Sequence, residues 1–365
     1  MEKVSRPQYM KSGHEKIFHQ LRQDVHFLVA QLEKKRKPGI ILKALVFPIL
    51  YLVTYLCLIV WGNNPAVMYI SYSGLGLLLV VIFLNIIHDA VHGTIFTSKK
   101  LNDWYVYLFD LMGANSYTWK MRHVRFHHNY PNVSGWDTDI EQSLLARIFP
   151  TDKALPLHRF QHIYLPMLYP LYLLNWLLIR DFRDFFNKKR TLWKLTTIPP
   201  IEYIKLFVFK SIFLLYLVIV PGLLLKVGWT HVLLGFLLMM FTASIFSLIV
   251  LLSPHANTSA DFPQPDEHNQ LPHDWMIHML RTTNDVQSDN WFTRSCMGCF
   301  NFHVVHHLFP NVNHIYYPEV TGLLKEYAAR YDLPYKAYSL TGSLRKHYQL
   351  LKRNGAAEDI FEETM

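Results

Sequence analysis

Eight histidines lie in three short stretches of this 365-residue chain, at spacings that could hold metal ions. The stretches read His88-Asp89-Ala90-Val91-His92, His123-Val124-Arg125-Phe126-His127-His128 and His303-Val304-Val305-His306-His307. Residues four apart share one face of a helix, so each stretch can present two imidazoles to one point. Buried imidazoles without a partner would be costly. The spacing therefore predicts a metal centre whose ligands are His88, His92, His123, His127, His128, His303, His306 and His307.

The number of ligands bears on the kind of metal. Eight imidazoles exceed what one tetrahedral zinc ion can use, and they suffice for two metals with open positions left over. Histidine suits iron, zinc and copper alike. A pair of redox-active irons is the hypothesis that makes so many ligands useful, because activating O2 needs electrons from more than one metal. Asp89, Asp137 and Asp139 are predicted to accept hydrogen bonds from the outer N–H groups of the ligand rings; the alternative is helix caps and solvated loop residues.

The composition indicates that membrane-spanning helices position the histidines. Hydrophobic residues make up 51% of the chain and charged residues 17%, against about a quarter charged in soluble domains. Four apolar runs have about the 20 residues that a membrane span requires: 44–61, 66–87, 206–225 and 231–253. Short loops join the first run to the second and the third to the fourth. The sequence thus predicts an all-α integral membrane protein with four transmembrane helices in two hairpins, in which Lys210 extends to the interface.

Basic residues predict the orientation of the two hairpins. Residues 1–43 contain ten Lys or Arg, whereas the hairpin loops hold only Lys226. The positive-inside rule then places both termini and residues 88–205 in the cytoplasm. All three histidine stretches fall on that side, in a cytoplasmic helical cap that carries a dinuclear metal site. We expect an N-terminal cytoplasmic amphipathic segment over 1–43, a membrane domain over 44–325 and a C-terminal cytoplasmic tail over 326–365.

Two further apolar stretches, 104–113 and 163–179, are rich in Tyr and Trp, and the second contains Pro166 and Pro170. We interpret both as interfacial or re-entrant helices, because two extra crossings would put later segments on inconsistent sides. The net charge of +9 comes from basic residues that flank the apolar runs, and this placement disfavours a nucleic-acid partner. The basic cluster 34–37 is interpreted as an anchor that faces anionic lipid; the alternative is attraction of a phosphate-rich carrier or an acidic electron donor.

The three stretches resemble the histidine boxes of the membrane fatty-acid desaturase family: HxxxH, then HxxxHH or HxxHH, then HxxHH or QxxHH. The similarity covers about residues 45–325, and HDAVHG at 88–93 and GCFNFHVVHHLFPNVNH at 298–314 look like the acyl-lipid and linoleoyl-CoA-type branch. The resemblance implies two iron ions, O2 as oxidant, and a long acyl chain carried by a lipid, CoA or an acyl carrier. Family members often add a ninth ligand in a Trp-x-x-His stretch before the third box. Trp275-Met276-Ile277-His278 fits that stretch, so His278 is the expected ninth ligand and His255 the competitor.

The chain also departs from part of the family pattern. Many front-end desaturases, which act between an existing double bond and the carboxyl end, carry Gln at the first position of the third box and an attached cytochrome b5 domain. This chain has His303 there and no HPGG haem motif. No built-in haem is therefore expected, and the resemblance implies a separate electron donor, either a ferredoxin or a cytochrome b5.

The resulting prediction is an O2-dependent fatty acyl desaturase that introduces a cis double bond into a long acyl chain. A diiron hydroxylase or ketolase of a lipid or carotenoid shares the histidine boxes and is the alternative. A non-catalytic membrane metal-binding protein is disfavoured, because its polar ligands should lie inside the spans, and here they lie outside them.

Overall fold

The computed structural model describes residues 5–141 and 143–356, and this part of the chain is mostly helical. Its α-helices, in chain order, are α1 (His14–Trp61), α2 (Pro65–Ile82), α3 (His88–Val91), α4 (Lys99–Leu111), α5 (Ser116–Lys120), α6 (Gln161–Leu168), α7 (Tyr172–Asn175), α8 (Asp181–Phe186), α9 (Pro200–Leu214), α10 (Val220–Leu224), α11 (Trp229–His255), α12 (Trp275–Thr282), α13 (Trp291–Ser295), α14 (His303–Leu308), α15 (Tyr317–Tyr331) and α16 (Leu340–Gly355).

Several helices continue through turns of different pitch. The π-helical segments are Phe83–Ile87, Met121–His127, Trp176–Arg180 and Leu215–Ile219. The 3-10 segments are Pro156–Phe160, Tyr169–Leu171, Thr191–Lys194 and His314–Tyr316. Two of the π-helical segments adjoin or contain predicted ligands, which is where such turns often occur in proteins.

Four two-residue strands form two parallel pairs that join distant parts of the chain. β1 (Gln8–Tyr9) pairs with β2 (Gln270–Leu271), and β3 (Asp285–Val286) pairs with β4 (Ala337–Tyr338). The first pair attaches the segment before α1 to the loop before α12. The second attaches the segment before α16 to the connection between α12 and α13.

Five helical stretches in the described residues are long and apolar enough to cross a membrane: His14–Trp61, Pro65–Val91, Pro156–Lys194, Pro200–Leu224 and Trp229–His255. Four of them contain the four predicted runs. The remaining stretch contains residues 163–179, where the helix passes through Pro166 and Pro170 by changing pitch instead of ending. Length and composition therefore allow a fifth crossing, and the four-span topology remains a prediction.

The two predicted hairpins pack together through small residues on α2 and α11. A Cβ atom on Gly76 would lie 2.4 Å from the carbonyl oxygen of Met239, and one on Gly235 would lie 2.3 Å from the ring of Tyr72. Neither glycine can therefore be enlarged without moving a helix. This close approach resembles the small-residue interfaces by which membrane helices associate.

Lys210 does not extend to an interface as the sequence analysis expected. Its side chain is buried, and its Nζ donates to the Asp181 carboxylate at 3.0 Å and to the Gly113 carbonyl at 2.8 Å. Arg122, which precedes the second histidine stretch, is also buried and pairs with Asp184 of α8. A buried cation needs such a partner, because hydration is lost. These pairs hold the π-helical segment Met121–His127, α8 and α9 together.

The C-terminal region differs from the expected tail where the structure describes it. α16 packs along α6 and the segment before it: the Asn354 amide donates to the Ile148 carbonyl at 2.6 Å, and Arg147 donates to the Asn354 carbonyl at 3.0 Å. The region therefore contributes to the folded body up to Gly355. Residues 357–365 of the expected tail, and residues 1–4 of the expected N-terminal segment, lie outside the described residues.

Candidate metal centre

The three histidine stretches lie at points where helices begin or change pitch. His88 begins α3, directly after the π-helical segment that ends α2. The second stretch lies in the π-helical segment Met121–His127 and its last residue, His128, follows it. The third stretch begins α14 at His303. Each stretch therefore comes from a different helix, and the three meet in the interior.

The structure divides nine buried or partly buried histidines into two groups whose ring nitrogens converge. The first group consists of His88, His92, His123, His128 and His306. The Nε2 atom of His123 lies 3.1 Å from Nε2 of His88 and 3.1 Å from Nε2 of His128. The third stretch thus contributes His306 to a group formed otherwise by the first two stretches.

The second group consists of His127, His255, His303 and His307. The Nε2 atom of His255 lies 2.7 Å from that of His303 and 2.9 Å from that of His307. The Nε2 atoms of His303 and His307 lie 3.2 Å apart, so the three Nε2 atoms form a triangle. Each group therefore offers four or five nitrogens to one point.

The division between the groups differs from the predicted pairing in the second stretch. We expected His123 and His127 to present their rings to one point, and they do converge with Asp139, but the two all-histidine groups divide them. The amide of His128 donates to the carbonyl of His123, five residues earlier, at 2.9 Å. This π-helical turn brings residues five apart onto one face, so His128 joins His123 and His127 turns toward the second group.

His255, and not His278, lies with His127, His303 and His307 in the second group. The ring of His278 is fully buried, but its Nε2 donates to the Pro131 carbonyl at 2.9 Å, and it belongs to neither group. His255 ends α11, and its Nδ1 donates to the Thr282 carbonyl at 3.2 Å, which directs Nε2 toward His303 and His307. The structure therefore places His255, and not the expected His278, with the second group: the Thr282 carbonyl at the end of α12 orients His255, while His278 donates to Pro131.

Two of the three predicted carboxylate partners contact rings of the groups. Asp137 accepts from His127 Nδ1 at 3.0 Å with both oxygens, and Asp139 accepts from His123 Nδ1 at 2.8 Å. Such bonds fix the tautomer and aim the opposite nitrogen inward. Asp89 instead pairs with His314 Nδ1 at 2.5 Å, and His314 is in neither group. The structure therefore places the predicted Asp89 carboxylate against Asn313 and His314.

Burial keeps most of these rings neutral. It lowers the pKa of His128, His306 and His307 well below the usual value, and the neighbouring rings lower it further. Burial also acts to lower the pKa of His127, but the Asp137 carboxylate raises it above the usual value. The neutral imidazole is the form that binds a metal. The rings of His128, His306 and His307 therefore present lone pairs at neutral pH.

The donor atoms fit a pair of metal ions. The Nε2 atoms of His255, His303 and His307 form a triangle. Each Nε2 atom is either a donor or an acceptor, so at least one side of the triangle joins two donors or two acceptors and cannot be a hydrogen bond. Two nitrogens held at right angles about 2.1 Å from one ion would be about 3 Å apart, close to the separations found here. In the first group, Nε2 of His92 and of His306 is buried and has no hydrogen-bond partner among the residues that the structure describes. One cation in each group would satisfy these atoms.

A cavity of about 480 Å³ reaches both groups. His88 and His123 of the first group line it, as do His127, His255 and His303 of the second. The rest of its wall is mostly leucine, isoleucine and aromatic side chains from the segment 140–180 and from α11. An apolar chain in this cavity would pass beside both groups of nitrogens.

A second cavity of about 50 Å³ adjoins the first. Phe83, Tyr172, Trp176 and Leu251 line both cavities and stand between them. The small cavity extends between α2, α4 and α11, where Ser247 and Met240 line it. It continues the apolar path beyond the histidines.

The helical, apolar fold and the buried histidines beside an apolar cavity together define a class of enzyme. The model of the fatty acid desaturase family matches residues 66–339, most of the chain. The chain therefore belongs to the fatty acid desaturase family, and it is an oxidoreductase. This confirms the resemblance seen in the three histidine boxes.

Curated relatives agree with the family. The chain is 28% identical over 354 residues to the sn-1 linoleoyl-lipid 6-desaturase of Synechocystis sp. (strain ATCC 27184 / PCC 6803 / Kazusa), an alignment that covers 95% of this chain and 97% of the relative. It is 27% identical over 341 residues to the acyl-lipid (8-3)-desaturase of Physcomitrium patens, covering 92% of this chain and 71% of the relative. A sn-1 linoleoyl-lipid 6-desaturase of Arthrospira platensis is 27% identical over 296 residues, with 80% and 79% covered.

Proposed function

We propose that this protein is an acyl-lipid desaturase that introduces a cis double bond into a long acyl chain at a centre of two iron ions. The observation that carries the proposal is the apolar cavity that reaches both histidine groups. The names of the relatives support a lipid-linked acyl chain as substrate.

The nine histidines of the two groups would hold the metals, five at one ion and four at the other. When bound, the metals supply the oxidising power that an unactivated C–H bond requires, with O2 as oxidant and electrons from a separate donor. We expect that donor to be a ferredoxin or a cytochrome b5, as the resemblance implies.

The protein's own residues bind and position the substrate. The apolar wall excludes water from the chain and holds one pair of neighbouring methylenes beside the rings. Trp119 stacks on His123 with a centroid separation of 5.1 Å, and Phe300 lies 4.4 Å from His303, so both rings are fixed by aromatic neighbours. Asp137 and Asp139 hold His127 and His123 in one tautomer. No separate acid or base is needed to break the C–H bonds.

We further propose that both termini and the metal centre face the cytoplasm, with four transmembrane helices in two hairpins. The ten Lys or Arg before residue 44 support this orientation. The three histidine stretches and His255 then lie at one end of the spans.

The test is expression in a host of known fatty-acid profile, followed by gas chromatography of methyl esters from separated membrane-lipid and acyl-CoA fractions. A new unsaturated acid that appears first in the lipid fraction is the expected result. His307→Ala is the matched inactive control, because His307 contacts rings of both groups. A hydroxy or keto acid in place of an alkene would contradict the proposal.

A further inference from the structure

The main cavity opens on the outer surface of the protein along one side. Five of the residues that line it are also exposed, each with between 37% and 58% of its side chain accessible: Leu145, Leu168, Leu171, Leu178 and Ile179. We call these five residues the portal. They belong to the segment 145–179, so one stretch of chain forms both the cavity wall and the outer surface.

The surface around the portal is apolar. Leu144, Phe160, Ile163 and Met167 have between 55% and 77% of their surface exposed. An apolar patch of this kind would be unfavourable in water. The patch lies on and beside Pro156–Lys194, one of the five stretches long and apolar enough to cross a membrane. Hydrocarbon is therefore the medium that suits the mouth of the cavity.

The backbone at the portal is irregular. Between Gln161 and Arg180 the chain passes from α-helix to 3-10 helix, back to α-helix and then to π-helix, with Pro166 in the first part and Pro170 in the second. At membrane depth, irregular backbone is tolerated where it is buried in protein or lines a cavity. The local structure thus fits a wall that opens toward lipid.

The lining of the cavity offers little that would bind the phosphates of a soluble carrier, although Arg159 is exposed beside Phe160 in the surface around the portal. Among the described residues lining the cavity, the charged side chains other than histidine are Asp139 and Arg180. Arg180 is buried, donates to the Thr138 carbonyl at 2.6 Å and lies 4.8 Å over the ring of Trp176. Phosphate recognition normally uses accessible Arg or Lys side chains in bidentate or clustered contacts.

We propose that the acyl chain enters the cavity laterally, from the bilayer through the portal, while its headgroup stays at the membrane surface. The substrate class is accordingly an acyl chain esterified to a membrane glycerolipid, and the carboxyl end of the chain lies toward the portal. This inference rests on the proposed function, because it assigns the entry route to the same cavity.

The experiment uses the full-length protein in lipid nanodiscs that contain a phosphatidylcholine with a photoreactive diazirine in one acyl chain. Irradiation without reductant labels whatever the chain touches, and peptide mass spectrometry locates the label. Labels on residues of the cavity wall inside the portal, such as Leu165 or Leu252, are expected. Because no turnover is involved, the labelling does not depend on whether the protein desaturates.

Leu178→Trp is the blocking variant and Ile204→Trp the matched control. The two positions are 58% and 59% exposed, but Ile204 lies on α9 and does not line the cavity. Leu178→Trp should lower labelling inside the cavity by at least about fivefold, because it narrows the mouth, and Ile204→Trp should leave it unchanged. Metal content and monodispersity on size exclusion establish that both variants are folded.

Two results would overturn the inference. One is equal cavity labelling in Leu178→Trp and the unsubstituted protein. The other is cavity labelling by a photoreactive acyl-CoA supplied from water, undiminished in Leu178→Trp, with none from the phospholipid. Cavity labelling by phospholipid together with no new double bond in the expression assay would leave lateral entry standing and contradict the proposed function.

Discussion

The Nε2 atoms of His255 and His307 lie 2.9 Å apart, although 52 residues separate the two histidines in the chain. This contact brings the end of α11 against α14 and completes the second histidine group. It also links the last residue of α11 directly to the third histidine box.

The first prediction concerns the ninth ligand. His255→Ala should remove the metal from the second group, so metal content should fall by about half or more and desaturation should be lost. His278→Ala is the control, because its ring belongs to neither group. Metal content is measured on the monodisperse fraction of each purified variant. Loss of metal in His278→Ala with retention in His255→Ala would reverse the assignment.

The second prediction concerns the carboxylate behind His127. Asp137→Asn preserves the size of a fully buried side chain but removes the charge that faces the Nδ1–H of His127. Metal affinity should fall by about 10 to 100-fold, the usual effect of such a change. Competition with a chelator measures it. Asp89→Asn is the comparison, since Asp89 contacts His314 and not a ring of either group, and an equal loss there would argue against a specific role for Asp137.

The third prediction is a pH dependence of stability at His347. This ring is 4% exposed, its Nδ1 donates to the Ala256 carbonyl at 2.6 Å, and its Nε2 lies 2.5 Å from the hydroxyl of Tyr169. Burial lowers its pKa to about 4, below the unfolded value of about 6.5. The unfolded state therefore binds the proton more readily, and stability is lost as pH falls from about 6.5 toward 4.

Between pH 7 and pH 5 this one histidine should cost about 2 kcal/mol of unfolding free energy. His347→Gln should lose less stability over that interval than the unsubstituted protein. Thermal unfolding in nanodiscs at both pH values measures the difference, and acid effects on the metal centre are common to both proteins. An identical loss in both proteins would show that His347 does not contribute.

The fourth prediction concerns the small cavity beyond Phe83 and Trp176. Ser247 lines it and is 5% exposed, so Ser247→Phe would fill much of its 50 Å³. If the methyl end of the substrate reaches this space, the variant should favour shorter acyl chains. Ile245→Phe, on the exposed side of the same helix, is the control. Chain-length profiles of the products measure the effect, and an unchanged profile in Ser247→Phe would show that the chain ends before this cavity.

The sequence predicted much of the site, because spacing of four residues identifies paired histidines on a helix. It did not predict how the second stretch divides between the groups. That division depends on a π-helical turn at Met121–His127, and no residue type marks such a turn. His255 was visible only as a histidine after an apolar run. Its position depends on the contact between α11 and α14, which is tertiary.

The fold could be predicted where hydrophobicity alone decides it. The four apolar runs lie in long helices, apart from Leu225 at the end of the third, but the stretch 163–179 also forms part of one, because α6 accommodates Pro166 and the helix changes pitch at Pro170. The expectation that the Lys210 side chain extends to the membrane interface was wrong because it was based on composition alone. Its partner Asp181 lies 29 residues earlier in the chain, and composition does not show that the two side chains meet.

The central claim is a centre of two metals held by nine histidines, and metal stoichiometry tests it most directly. The protein should be purified in nanodiscs without chelators, with iron, zinc and copper counted by inductively coupled plasma mass spectrometry against protein from amino-acid analysis. We expect two iron ions per chain, consistent with two histidine groups of five and four members. A single ion per chain, or zinc in place of iron in an active preparation, would contradict it.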